Sequence, residues 1–155
     1  MSNLALPSGE DFPDAAAKHL QDAEVLLVAK RSDGVAYLSG YVVECSLKSL
    51  LLCLKRTQDP SALQQPLPWM KRGKGHAWPH LQKEAATLAA LADPKIAKYL
   101  SAAVDNALAS SIQAWRPDLR YRPPHVPMND AEDWLVQARV VFRETIAEMK
   151  KDGVI

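Results

Sequence analysis

The sequence predicts an all-α fold, an antiparallel up-and-down bundle of four to five helices. The stretch Val35–Leu54 is apolar on nearly every helical face, which is typical of a helix buried in a core. Four further segments repeat apolar residues at steps of three and four, the period of an amphipathic helix. Pro and Gly concentrate between these segments, and no stretch alternates as a half-buried strand does.

Length and composition predict one cytoplasmic domain spanning residues 1–155. The chain has 155 residues and a formal net charge of +1, so its bulk charge demands neither nucleic acid nor membrane as a partner. Its opening lacks the pattern of a signal peptide. Cys45 and Cys53 lie eight residues apart on one predicted helix, about 12 Å along its axis, too far for a disulfide. Glu44 and Lys48 interrupt the apolar stretch, which predicts a core helix and no membrane contact.

The first half of the chain predicts a helical hairpin. Residues 1–10 lack periodicity and are expected to form a loose lead-in. A helix is predicted at Ala15–Lys30, after the start signal Asp11-Phe12-Pro13. The predicted turn is Ser32-Asp33-Gly34, with Asp33 as the N-cap of the second helix. A connection this short makes the two helices antiparallel neighbours.

The second half alternates long loops with helices. Residues 55–75 hold three Pro and two Gly, together with a basic and aromatic patch of Trp69, Lys71, Arg72 and Lys74. This patch indicates either a solvated loop or nucleic-acid contact. Residues 115–129 form a second predicted loop. The helices are predicted at Leu81–Leu91, Lys95–Ile112 and Asp130–Lys151, the last capped by Asn129 or Asp130.

The central helix carries one polar face. Tyr37, Tyr41, Glu44 and Lys48 follow each other at steps of four, three and four. Glu44 precedes Lys48 by four residues, the favourable order for an ion pair. The pair is either a satisfied couple in a crowded core or part of a seam that faces a cleft or partner. Gly40, inside the helix, predicts close approach of a neighbouring helix.

This helix resembles the second helix of HEPN domains, small helical proteins of prokaryotes that often accompany minimal nucleotidyltransferases. The matching positions are Tyr37, Gly40-Tyr41, Glu44-Cys45 and Leu47-Lys48-Ser49-Leu50-Leu51. The steps Gly75-His76 and His80-Leu81 each resemble the opening of the third helix of the family, and either histidine can be the matching one. The resemblance implies a cytoplasmic homodimer and a nucleotidyltransferase partner.

An arginine loop, Trp115–His125, is the strongest candidate for chemistry. Arg116, Arg120 and Arg122 with two aromatic residues are typical of a site for phosphate or another anion. The step Leu119-Arg120-Tyr121 resembles non-toxin HEPN relatives. In toxin-like HEPN ribonucleases, an Arg followed by a His four to six residues later forms a metal-free site across a dimer, and Arg120 and His125 have that spacing. Pro123 and Pro124 between them exclude a regular helix, and Pro127 stands where many toxins have tyrosine.

Three functions follow from these residues. The leading hypothesis is a non-catalytic module that binds nucleotide, RNA or the nucleotidyltransferase partner, with neither cofactor nor metal. The rival is a metal-independent ribonuclease in which Arg120 holds the phosphate and His125 transfers protons. The third is a purely structural dimerisation module. The predicted ligand-binding residues are Tyr41, Glu44, Lys48, Arg116, Tyr121 and Arg122. A metal site at His76 and His80 is disfavoured by Pro79 between them and by the lack of a third ligand.

Overall fold

A computed structural model describes residues 2–58, 78–90 and 94–155 of the chain. The basic and aromatic patch from Trp69 to Lys74, and His76, lie outside the described residues. The backbone of His80 is helical, but its side chain is not among those described. The predictions made for these residues therefore stay predictions.

The described residues form a helical bundle without strands, which confirms the all-α fold. Two 3₁₀ turns, Ser111–Ala114 and Pro117–Tyr121, lie before the last long helix. That helix continues through a π turn at Arg143–Ala147. The α-helices are α1 (Phe12–Val28), α2 (Ser32–Gln58), α3 (Trp78–Ala89), α4 (Pro94–Ala97), α5 (Ala102–Leu108), α6 (Met128–Phe142) and α7 (Glu148–Lys151).

Helix α2 is the core of the bundle, as its apolar pattern predicts. It packs against α1, α3 and α6, so its apolar residues are covered on several sides. Leu47, Leu50 and Leu54 are completely buried. Its part Ser32–Arg56 is long and apolar enough to cross a membrane, but 83% of its most apolar window is buried within the bundle. This burial agrees with the prediction of a core helix.

The turn between α1 and α2 lies earlier than predicted. Lys30 adopts a left-handed conformation with φ 55°, and Arg31 N–H donates to the carbonyl of Leu26 at 3.0 Å. This bond closes a helix end of the kind usually made by glycine. Helix α2 begins at Ser32, so the predicted turn Ser32-Asp33-Gly34 is wrong. Gly34 lies inside the helix, where an added Cβ would be 2.8 Å from Leu26 Cδ1, so its small size serves packing.

The first ten residues are packed, so the predicted loose lead-in is wrong. Leu4 is only 1% exposed and joins the hydrophobic core. Ser2 donates to the Asp11 carboxylate through its backbone N–H at 2.6 Å and its hydroxyl at 2.8 Å. Asp11 also caps α1 by accepting from the backbone N–H of Asp14. One carboxylate therefore orders both the lead-in and the helix start.

The predicted helix Lys95–Ile112 is interrupted. The chain leaves the helical path after Ala97 and starts again at Ala102, with Ser101 as N-cap. Tyr99, in the break, is 2% exposed, and its hydroxyl donates to Asp152 Oδ2 at 2.7 Å. We infer that burying this ring with its hydroxyl satisfied outweighs the regular helix that the apolar period favours.

The last long helix begins at Met128, two residues before the predicted start. Its N-cap position is Pro127, which supplies no side-chain bond, so the predicted caps at Asn129 or Asp130 are wrong. The preceding backbone is held instead by Asp33, as described below. The π turn coincides with Thr145, whose hydroxyl donates to the Val141 carbonyl at 2.7 Å. The predicted inward face is buried except for Phe142, which is partly buried.

Candidate anion-binding site

The polar face of α2 is assembled as predicted, and its inner end is closed. Lys48 Nζ lies 2.5 Å from Glu44 Oε1, and the two residues are 7% and 2% exposed. Lys48 Nζ also lies 5.1 Å from the centroid of the Phe12 ring. A buried pair of this kind is held together because either charge alone would be costly. The geometry favours the interpretation of a satisfied core pair over a ligand contact, since the fold would have to open for a ligand to reach either charge.

Helix α1 adds His19 to this face, a neighbour that sequence reasoning missed. The His19 ring centroid lies 5.7 Å from that of Tyr41. Its Nδ1 is buried and makes no hydrogen bond with the described residues. Burial lowers the pKa of His19, the charge of Lys18 lowers it further, and Asp22 and Glu44 oppose the change. The antiparallel hairpin was the only sequence signal that could have placed this histidine beside Tyr41.

The two tyrosines form the middle of the polar face. The rings of Tyr37 and Tyr41 meet edge to face with centroids 4.9 Å apart. Burial raises the pKa of Tyr41, and a hydrogen bond with Tyr37 and the charge of Glu44 act in the same direction. Tyr41 is therefore a neutral phenol throughout the physiological range, and it is only partly exposed to a ligand.

Gly40 is the point at which the arginine loop is anchored to α2. A Cβ added at Gly40 would lie 2.1 Å from Cε2 and Nε1 of Trp115. Trp115 is 2% exposed, and its indole N–H donates to the Tyr37 carbonyl at 3.1 Å. The predicted close approach is confirmed, but the neighbour is a tryptophan side chain that precedes a 3₁₀ turn, not another helix.

Asp33 holds the other end of the same loop. Its Oδ1 accepts from the backbone N–H groups of His125 at 3.0 Å and Val126 at 3.3 Å. This role replaces the predicted N-cap role of Asp33. The predicted irregular loop at 115–129 contains the 3₁₀ turn Pro117–Tyr121 and ends at the start of α6. Helix α2 thus fixes the arginine loop at both ends, and the arginines project from a supported backbone.

Two of the three arginines already have partners within the loop. Arg116 donates through Nη1 to the carbonyls of Gln113 and Trp115, both at 2.7 Å. Arg122 donates to Asp118 Oδ2 through Nη2 at 2.6 Å and Nε at 3.1 Å. The hydrogen bond from Arg122 lowers the pKa of Asp118, and the charge of Arg116 contributes. Asp118 therefore stays ionised and partly neutralises Arg122.

Arg116, Arg122 and His125 line a cleft of about 200 Å³. The Nδ1 atom of His125 lies 2.9 Å from the Pro123 carbonyl oxygen, and its side chain is 46% exposed. Asp130 is the single carboxylate among the lining residues. The full lining comprises Ala114, Arg116, Leu119, Arg122, His125, Val126, Pro127, Asp130 and Trp134. Two guanidinium groups, an imidazole and apolar walls form a surface suited to an anion that carries an apolar or aromatic portion.

Arg120 lies in different surroundings and does not line this cleft. Its Nη1 donates to the Tyr37 hydroxyl at 3.5 Å, and this bond raises the pKa of Arg120. Its guanidinium also lies 4.6 Å from the centroid of the Tyr121 ring. The structural alternative paired Arg120 with a carboxylate and packed Tyr121. It is wrong for Tyr121, which is 76% exposed, and Arg120 has no carboxylate partner in the described part of the chain.

The other reactive side chains do not add a second site. Cys45 and Cys53 are free and buried, and burial raises their pKa to about 12 and about 11. Within residues 2–58, 78–90 and 94–155, no group of three or more His, Cys, Asp or Glu side chains is arranged to hold a metal ion.

Comparison with known proteins adds no relative. No protein-family model, no curated protein and no solved structure matches the chain. The geometry of the site therefore carries the functional argument.

Proposed function

We propose that this chain is a HEPN-like, non-catalytic module that binds the phosphate groups of RNA or a nucleotide at the cleft of the arginine loop. The observation that carries the proposal is the convergence of Arg116, Arg122 and His125 on one open cleft. The resemblance of Tyr37–Leu51 to the second HEPN helix supports the same class of ligand. A nucleotidyltransferase partner is the other target implied by that resemblance.

The charges around the cleft support an exchangeable anion site. Arg122 is 54% exposed and is held by a carboxylate that is itself 49% exposed. A phosphate oxygen can replace that carboxylate without opening the core, because both groups already meet water. Arg116 is tied to two carbonyls and keeps its positive charge, so it attracts an anion to the same place.

The test is binding of a short fluorescent single-stranded RNA, measured by anisotropy as a function of salt. Replacing Arg122 with Ala should weaken binding by about 10- to 100-fold, the effect of losing one charged hydrogen bond. It should also make the salt dependence shallower by about 0.7 per lost phosphate contact. Unchanged affinity and salt dependence would contradict the proposed site.

The matched control is Arg143→Ala. Arg143 is 65% exposed and donates to one oxygen of Glu144 through Nε at 3.1 Å and Nη2 at 2.9 Å, the same arrangement as Arg122 with Asp118. It lies at the π turn and does not line the cleft. Equal weakening by Arg122→Ala and Arg143→Ala would indicate attraction to the whole surface, not a site.

A second variant tests the same site in the opposite direction. Asp118→Asn removes the negative charge that neutralises Arg122, so RNA should bind more tightly than to the parent protein. A loss of affinity would show that Asp118 holds Arg122 in its binding position instead of competing with the ligand.

The alternative is the metal-independent ribonuclease, and one observation favours it. His125 lines the same cleft as two arginines and is partly exposed, so it can reach a bound phosphodiester. Arg120, its expected partner, faces Tyr37 and Tyr121 instead. Cleavage of a mixed RNA pool in EDTA by the parent protein, and not by His125→Ala, would establish this function and overturn the non-catalytic one.

A further inference from the structure

We infer that Tyr121 is a stacking surface for an unpaired base, so the ligand of the arginine loop is single-stranded RNA. This inference rests on the proposed phosphate site and names the class of nucleic acid that it takes. Tyr121 is 76% exposed and is one of the few large apolar side chains that the described bundle leaves open to solvent. A water-exposed aromatic ring beside phosphate-binding arginines is the arrangement by which proteins hold unpaired bases.

The ring is held in place from one side. The Arg120 guanidinium lies 4.6 Å from the Tyr121 centroid, as in a cation–π contact. Arg120 is in turn bonded to the Tyr37 hydroxyl at 3.5 Å, which connects the pair to α2. Because Arg120 occupies one face of the ring and most of the side chain is exposed, the other face is open to a flat partner.

The backbone beneath the ring is also supported. Tyr121 ends the 3₁₀ turn Pro117–Tyr121, and Arg122 N–H donates to the Leu119 carbonyl at 3.2 Å. The turn lies between the anchors at Gly40 and Asp33. A base therefore meets a ring whose position is already fixed, which reduces the entropy lost on binding.

The neighbouring cation decides between an RNA and a simple anion. Arg122 follows Tyr121 directly and lines the cleft. A nucleotide whose base stacks on Tyr121 would place its phosphate near Arg122, with Arg120 behind the ring. A duplex offers phosphates but keeps its base faces covered, so it would gain nothing from the open ring.

The experiment compares three RNAs of equal length in the anisotropy assay: a single strand, the same strand with abasic residues, and a duplex. The parent protein should prefer the single strand. Tyr121→Leu, which keeps an apolar side chain without a ring, should weaken single-strand binding by about 5- to 100-fold, the effect of losing one stacked base. Tyr121→Phe should bind like the parent, and the abasic strand should not distinguish the three proteins.

The controls separate this inference from the proposed function. If Arg122→Ala weakens all three RNAs while Tyr121→Leu changes none, the phosphate site stands and the stacking surface is refuted. Preference for the duplex would also refute it. If the parent binds none of the RNAs, both proposals fall. Tyr121 is exposed, so an unchanged thermal unfolding curve for Tyr121→Leu is expected and excludes misfolding as the cause.

Discussion

The contact between Gly40 and Trp115 makes the sharpest prediction about stability. Alanine at position 40 would place its Cβ 2.1 Å from two indole atoms, much closer than van der Waals contact allows. Neither partner can give way easily, because Gly40 lies within a buried helix and Trp115 is 2% exposed. We expect Gly40→Ala to force the indole out of its slot and to break its bond to the Tyr37 carbonyl.

The magnitude follows from the area of the ring. A buried tryptophan covers about 150–250 Å², worth about 4–6 kcal/mol at ~25 cal/mol per Å². Large-to-small substitutions of buried aromatic residues give a similar loss of about 3–5 kcal/mol. Alanine is favoured over glycine in a helix by about 1 kcal/mol, which offsets part of this loss. We therefore expect Gly40→Ala to lower the free energy of unfolding by about 2–4 kcal/mol.

The assay is urea unfolding followed by circular dichroism, with Gly34→Ala as the matched control. Gly34 lies in the same helix, but its added Cβ would meet only the end of the Leu26 side chain, which can move. Gly34→Ala should change the free energy of unfolding by less than about 1 kcal/mol.

A double-mutant cycle assigns the loss to the indole. In a Trp115→Ala background the slot is empty, so Gly40→Ala should be neutral or slightly stabilising. The reasoning would be refuted if Gly40→Ala cost no more than Gly34→Ala, or if its cost were unchanged without the indole.

Three further predictions use the same unfolding assay or simple chemistry. Lys30→Gly should raise the free energy of unfolding by about 1 kcal/mol, because φ 55° is strained for a residue with a Cβ, whereas Lys30→Ala should leave it nearly unchanged. Lys48→Met should lower it by about 3–5 kcal/mol by leaving Glu44 charged and unpaired by Lys48 in the core, and Glu44→Gln together with Lys48→Met should recover much of that loss. A pKa of about 12 for Cys45 and about 11 for Cys53 leaves on the order of one thiol in a thousand or fewer ionised at pH 8. Iodoacetamide followed by mass spectrometry should therefore find both thiols unmodified in the folded protein and both modified in urea, and rapid alkylation of the native protein would contradict the burial.

The fold class could be predicted from sequence because it depends on local periodicity. Helix α2 is apolar on several faces, and the structure buries it on several faces. The turn before it could not be placed, because Gly34 has two uses. Its conformational freedom favours a turn, while its small size serves the approach of Leu26, and packing decided the outcome. Lys30 took the left-handed position instead, where the sequence carries no signal.

The candidate site was predictable in composition but not in arrangement. The count of arginines in residues 115–125 indicates an anion site, and the glycine at position 40 indicates a close contact. Neither signal says that Trp115 fills the place beside Gly40, 75 positions earlier, or that Asp33 accepts from His125. A single sequence contains no term for such long-range pairs, because each depends on how the helices pack.

The environments of the three arginines explain why charge density alone is a poor guide to binding. Arg116 is fixed to backbone carbonyls, so its substitution would disturb the loop as well as the charge. Arg120 is held between a phenol and an aromatic ring, where its main effect is on Tyr121. Arg122 alone among the three pairs with an exposed carboxylate that a phosphate can replace at little cost to the fold. The effects of the three substitutions should therefore differ in kind: Arg122 governs affinity, Arg120 governs the preference for unpaired bases, and Arg116 governs the stability of the loop that presents both.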